Sequence, residues 1–296
     1  MAGAILGSPE SLSKRAALLR ISTHTLAQSM QSGCFRSAFI GQGIEFSGVR
    51  DYIRGDDIRS IDWNVTARMG KPYVKMFEEE RELQIFIIVD RSLSMNTGSK
   101  ARSKLQTATE IAALLTMAAE QNQNPVGVVL FNGLLEFTCA PKNGLNQTMM
   151  LLTKLNEYPD KTAPGSVLGK AITGACAVLK KRSLVFVISD FRSTAWETPL
   201  AILASKHDVA TVRITDPVDS SLPEMGAASF KDAESGEVRV LPTNAKNFRA
   251  AWYEDAIMHT KRFQETCAKR GALTLNVSTT DDCLTSLLEF FGRRKA

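Results

Sequence analysis

Two apolar runs in this chain each stop at an aspartate. Residues 83–89 read LQIFIIV and end at Asp90; residues 184–189 read LVFVIS and end at Asp190. Neither run alternates apolar with polar, as a strand wetted on one face does. Each reads as a strand buried on both faces, the kind that sits inside a parallel sheet between two layers of helix. The rest of the chain supplies those layers. Amphipathic patterns predict helices over 104–121, 146–156, 166–180, 199–206, 247–270 and 283–291. Further strands are expected at 126–131, 209–214 and 273–277, with 135–139 as a hairpin partner of 126–131. A polar stretch over 216–235 leads into a short hairpin near 230–240. This alternation predicts an α/β fold, a Rossmann-like doubly wound, mostly parallel sheet with helices on both faces.

The region before the first buried run has another character. Residues 13–30 carry a helical pattern (Ala16, Leu18, Leu19, Ile21, Leu26, Met30) that Gly33 ends. Residues 34–82 are glycine-rich, with charges packed between aromatics. Strands near 61–67 and 73–80, with a turn at 69–72, predict a small N-terminal β-rich or irregular element. The expected organisation is therefore 1–82 as an N-terminal helix and small element, 83–280 as the α/β domain, and 281–296 as a C-terminal helix and basic tail.

Bulk composition excludes several classes. Of 296 residues, 44% are hydrophobic and 23% charged, an ordinary globular balance. The net charge of +5 is dispersed, and the cluster GRRK at 292–295 is too short to argue for nucleic-acid binding. Five cysteines (Cys34, Cys139, Cys176, Cys267, Cys283) show no CxxC spacing, which fits thiols in a reducing compartment. No apolar span is long enough to cross a membrane and no signal-peptide core opens the chain, so a cytoplasmic location is expected.

The chemistry gathers where the buried strands end. In an open α/β sheet, ligands bind at the carboxyl ends of strands beside the point where strand order reverses. Asp90 is followed by hydroxyls at Ser92 and Ser94, and Asp190 ends the second buried run. A third loop, 162–166, precedes a helix and offers Ser166 as an N-cap or as a further hydroxyl. These are hard oxygen donors, suited to Mg²⁺ or Mn²⁺ rather than Zn²⁺. Two carboxylates brought together would repel unless a cation lay between them, a physical reason to expect a divalent ion. Three hydroxyls and two carboxylates leave a coordination position open for a carboxylate from a partner. A plain turn capping the next helix is the bland alternative for the Asp-x-Ser-x-Ser pattern.

That pattern after a buried strand resembles the metal-ion-dependent adhesion site (MIDAS) of von Willebrand factor A (vWA) domains. A longer resemblance lies upstream: GIEF at 43–46, RDY at 50–52, GDDIR at 55–59, IDW at 61–63, TAR at 66–68 and EEER at 78–81 are similar to the signature of the DUF58 family, whose members carry a vWA-like domain. The resemblance implies a non-enzymatic adaptor that binds proteins, commonly beside a MoxR-type AAA+ ATPase, in protein remodelling or complex maturation. It implies that Ser92 and Ser94 contact the metal directly and that Asp90 and Asp190 do so directly or through water. Ser166 stands where the family usually has threonine, keeping the hydroxyl without the methyl. Many family members carry N-terminal membrane spans, and none is expected from this sequence.

Arg50, Arg54, Arg59 and Arg68 alternate with Asp51, Asp56, Asp57 and Asp62. They read either as structural salt bridges or as a docking surface with Tyr52 and Trp63 as aromatic anchors; Trp63 reads equally as core. Enzymatic classes fare worse. A Mg²⁺-dependent phosphohydrolase of the haloacid dehalogenase type needs a second aspartate two positions after the first, and Ser92 stands there. No G-x-S-x-G elbow and no P-loop occur, and His24, His207 and His259 are poorly placed as general bases. A structural module with a vestigial metal site is the third class.

Overall fold

Burial decides the middle of the sheet. The computed structural model describes residues 5, 44–79, 83–99, 102–159, 163, 165–231 and 237–292. The expected helix over 13–30 with Gly33, Cys34, the loop residues Thr162 and Pro164, and the basic tail beyond Gly292 lie outside them. By internal contacts the chain divides into two units, Ser37–Glu82 and Met1–Arg36 with Leu83–Ala296.

In the smaller unit, β1 (Ile44–Asp51) pairs antiparallel with β2 (Tyr73–Glu79). Between them runs α1 (Trp63–Met69), which corrects the strand expected over 61–67. The reason is local capping. Asp62 accepts hydrogen bonds from the Asn64 and Val65 N–H groups, and Gly70 closes the helix at φ 71°, a left-handed conformation open to glycine. Two β-branched residues and an aromatic in the segment suggest a strand, and the caps override that preference. The aspartates of this unit work inside it: Asp56 pairs with Arg50 at 2.7 Å, and Asp57 and Asp62 cap helical turns. Trp63 is 65% exposed, so it is not core.

The larger unit is a six-stranded sheet in the order β10-β7-β6-β3-β4-β5. These strands are β3 (Ile85–Asp90), β4 (Val126–Phe131), β5 (Leu135–Lys142), β6 (Leu184–Ser189), β7 (Asp208–Thr215) and β10 (Leu273–Ser278). All neighbours run parallel except β4 and β5, which form the expected antiparallel edge. A separate hairpin, β8 (Ala227–Lys231) and β9 (Val238–Pro242), matches the one expected near 230–240. Every residue of β3, β4 and β6 is buried.

Strand parity sorts the helices into two layers. Phe86 and Ile88 of β3 and Val185 and Val187 of β6 point into one cluster. There they meet Leu168, Ile172 and Ala175 of α4 (Leu168–Val178), Leu200 and Leu203 of α5 (Glu197–Lys206), and Phe263 and Cys267 of α7 (Lys246–Lys269). A one-turn α6 (Pro217–Ser220) lies between β7 and β8. On the opposite face lie α2 (Lys104–Gln121), α3 (Leu145–Asn156) and α8 (Cys283–Gly292), where Phe186 meets Phe291 edge to face at 6.1 Å. A capping box starts α2: the Ser103 hydroxyl accepts from Gln106 N–H and the Gln106 carboxamide accepts from Ser103 N–H. Among the described residues no helix is long and apolar enough to cross a membrane.

Candidate functional site

Strand order creates the crevice. From β3 the chain first builds outward to β4 and β5, then crosses back to place β6 on the other side of β3. The carboxyl ends of β3 and β6 therefore flank the switch point. Register then decides which atoms meet. Val89 pairs with Ile188, so Asp90 lies level with Ser189, not with Asp190. The Ser189 hydroxyl donates to Asp90 Oδ2 at 2.6 Å and accepts from the Phe191 N–H at 3.0 Å.

The sequence-predicted residues gather around Asp90, which is 1% exposed. Ser92 N–H donates to Asp90 Oδ1 at 2.9 Å, and the Ser92 and Ser94 hydroxyls lie 3.1 Å apart. A single 3₁₀ turn, Leu93–Asn96, starts from Ser92 as its N-cap and contains Ser94, and its Met95 is buried. The third loop also arrives. Ser166 Oγ donates to Asp90 Oδ2 at 3.4 Å, and the loop is anchored where Val167 N–H donates to the Asn132 carbonyl at 3.0 Å. Ser166 does not cap α4, because Val167 occupies the N-cap.

Asp190 lies one residue beyond this ring, 3% exposed. Its Oδ1 accepts from Arg192 N–H at 3.2 Å, while Oδ2 has no hydrogen-bond partner. Among the described residues Lys104, the first residue of α2, pairs with it: its Nζ lies 3.7 Å from Asp190 Oδ2 and 2.8 Å from Asp219 Oδ2. Arg192 closes this network on Asp219 at 2.8 Å. The turn after β6 is itself unusual. Phe191 has φ 54° without being glycine, and contacts with Trp196 (5.1 Å) and Phe263 (4.8 Å) hold it there.

Burial makes the Asp90 charge costly. Desolvation, with the neighbouring Asp190 charge, pushes its carboxyl up to about 7 against the hydrogen bonds from Ser189 and Ser92. Among the described residues no three His, Cys, Asp or Glu side chains form a metal cluster. The donors here are two carboxylates and hydroxyls. That set suits a small hard cation that keeps several of its waters. Asp190 Oδ2 has no hydrogen bond and only a 3.7 Å ion pair with Lys104, and Asp90 is raised, so a cation with its waters would serve both. Residues 48–262 match the family model DUF58, described as a protein of unknown function.

The chain belongs to the DUF58 family. An uncharacterised protein of Mycobacterium tuberculosis is 30% identical to this DUF58 protein over 292 residues, covering 95% of this chain and 90% of the relative. Among solved structures it is similar to the conserved hypothetical protein BatB of Bacteroides thetaiotaomicron, with a TM-score of 0.49 and 17% identity over 72% of this chain and 98% of BatB. It is also similar to the SpRpn10 vWA domain, with a TM-score of 0.39 and 13% identity over 71% of this chain and 95% of that domain.

Sequence reasoning did not reach Ser189, Lys104 or Asp219 in this DUF58 protein. Ser189 was legible only as the residue before Asp190, and its role follows from register. Lys104 reads as a helix-start residue, and nothing local says that its ammonium turns inward to two aspartates.

Proposed function

We propose that this DUF58 protein is a non-enzymatic, cytoplasmic adaptor that captures a carboxylate of a partner protein through a divalent ion. Asp90, Ser92, Ser94, Ser166 and Asp190 are the residues that would hold the ion, Mg²⁺ or Mn²⁺. When bound, such an ion supplies a coordination position that a partner's carboxylate can fill. The observation that carries this reading is the buried Asp90 at the switch point, with Ser92, Ser166 and Ser189 donating to it and Asp190 beside it. The residues of the chain have separate tasks. Ser189 and Ser92 N–H hold the Asp90 carboxyl in one orientation, and the short turn keeps the Ser92 and Ser94 hydroxyls together. The choice of a MoxR-type AAA+ ATPase as partner, acting on a client protein, rests on the family resemblance alone.

A second reading has one specific observation in its favour. Lys104 already brings a cation to Asp190, so the site can be a structural node that needs no metal. Calorimetric titration of Mg²⁺ and Mn²⁺ into wild type and into Asp90→Ala/Ser92→Ala separates the two. Saturable binding that the double variant loses supports the adaptor. An absence of binding, with a pull-down insensitive to Mg²⁺, sinks it. Turnover of phosphate esters abolished by Asp90→Ala would replace it with the phosphohydrolase.

A further inference from the structure

Lys104 sits where a lysine is least expected. It is the first residue of α2, at the positive end of the helix dipole, and its side chain is only 2% exposed. A buried ammonium there is disfavoured twice, by desolvation and by the dipole. The helix start does not call for it. Ser103 and Gln106 supply the capping box, and the Lys104 N–H donates to the Thr97 carbonyl at 3.0 Å. Two carboxylates hold the ammonium, and the contacts are unequal. Its Nζ lies at hydrogen-bonding distance, 2.8 Å, from Asp219 Oδ2 and farther off, 3.7 Å, from Asp190 Oδ2.

Asp219 is itself fixed in place. Its Oδ2 also accepts from Asp216 N–H at 2.8 Å, within the capping box of α6, and its Oδ1 accepts from Arg192 at 2.8 Å. Asp190 Oδ2, by contrast, has no hydrogen bond. The ammonium can therefore leave Asp190 without losing its closer partner. While it stays 3.7 Å from that oxygen, it repels any cation set there. A free monovalent ion carries no more charge than the ammonium, which is tethered and always at hand. A divalent ion carries twice as much.

We propose that Lys104 is a built-in competitor at the ion site: it holds Asp190 against monovalent ions, yields it to a divalent ion and withdraws to Asp219. Lys104 is thereby a specificity-determining residue, and it sets the concentration at which the site fills. This rests on the adaptor reading, in which Asp190 helps to hold Mg²⁺ or Mn²⁺.

Calorimetric titration of Mg²⁺ into the full chain tests it, with Asp90→Ala as the reference that loses the site. Lys104→Met should bind Mg²⁺ about tenfold more tightly than wild type. Asp219→Asn keeps the lysine and an acceptor but removes the charge to which the lysine withdraws. It should bind Mg²⁺ about tenfold more weakly, and it carries the test should Lys104→Met fail to fold. Added to Lys104→Met, the same Asp219→Asn change should alter binding by less than about twofold, because its effect runs through the ammonium; independent charge effects would add. Exchanging tetramethylammonium chloride for sodium chloride at constant ionic strength should weaken Mg²⁺ binding to Lys104→Met and leave wild type unchanged. Unchanged or weaker binding in Lys104→Met, unchanged binding in Asp219→Asn, additive effects of the two changes, or equal sodium sensitivity would each overturn the proposal while the adaptor reading stands. Absence of Mg²⁺ binding in wild type and Lys104→Met alike would overturn both.

Discussion

Asp90 carries the largest electrostatic cost in the candidate site, and its pH dependence has a definite sign. Its carboxyl titrates at about 7 in the fold, against an ordinary value of 3.8. Below pH 3.8 it is protonated in both the folded and the unfolded chain and contributes nothing. Between these values the unfolded chain gains by ionising while the folded one does not, so stability falls as pH rises. Above pH 7 the loss is complete, up to about 4 kcal/mol. Urea unfolding without divalent ions should therefore show Asp90→Asn close to wild type near pH 4 and more stable than wild type at pH 8. A variant equally offset at both values would remove the buried charge from the account. Lys104 makes the reverse case. Its side chain is 2% exposed and faces two aspartates, so Lys104→Met should cost about 3–5 kcal/mol by leaving the buried Asp190 carboxylate without its cation, while Asp219 keeps Arg192. Mg²⁺ should recover part of that loss. No recovery at saturating Mg²⁺ would mean that the ion does not reach Asp190.

At the scale of elements, two glycines of opposite behaviour test the packing. Gly127 sits in β4 against the irregular part of β5, where an added Cβ would lie 2.6 Å from the Cys139 carbonyl oxygen and 2.7 Å from the Pro141 nitrogen. Both are backbone atoms and cannot swing aside, so Gly127→Ala should cost about 1–3 kcal/mol. Gly174 lies within α4, with nothing within 4 Å of the added Cβ. Gly174→Ala should instead stabilise by ~1 kcal/mol through helix propensity. Denaturant midpoints of the two variants should move in opposite directions, and a shared direction would contradict the β4–β5 contact. Elements were also the level at which periodicity read best. Leu184–Ser189 was legible to the residue because its buried run is apolar up to the closing Ser189. The helix at Trp63–Met69 was not, because its cause is a pair of caps rather than a hydrophobic period.

For the whole molecule, a ligand that binds only the folded state must stabilise it. If the adaptor reading holds, Mg²⁺ at a hundred times its dissociation constant should add about 2.7 kcal/mol to unfolding. That gain should vanish in Asp190→Ala. An equal gain in that variant would place the ion elsewhere. The linkage is global because Asp90 and Asp190 follow different buried strands, β3 and β6, whose pairing exists only when the sheet is assembled.

The sequence by itself determined the kinds of element and the short-range chemistry. Periodicity marks the buried strands and their helices, and five consecutive residues carry Asp90, Ser92 and Ser94 into one turn. It also carried the family signature over 43–81. Only the tertiary structure decided what lies across from Asp90. Strand order put β6 beside β3, register made Ser189 rather than Asp190 its direct partner, and the start of α2 turned Lys104 onto Asp190 and Asp219. The physical reason is range. Periods and turns are set by neighbours in the chain, whereas order, register and the inward turn of a buried ammonium are set by long-range packing, which no local pattern encodes.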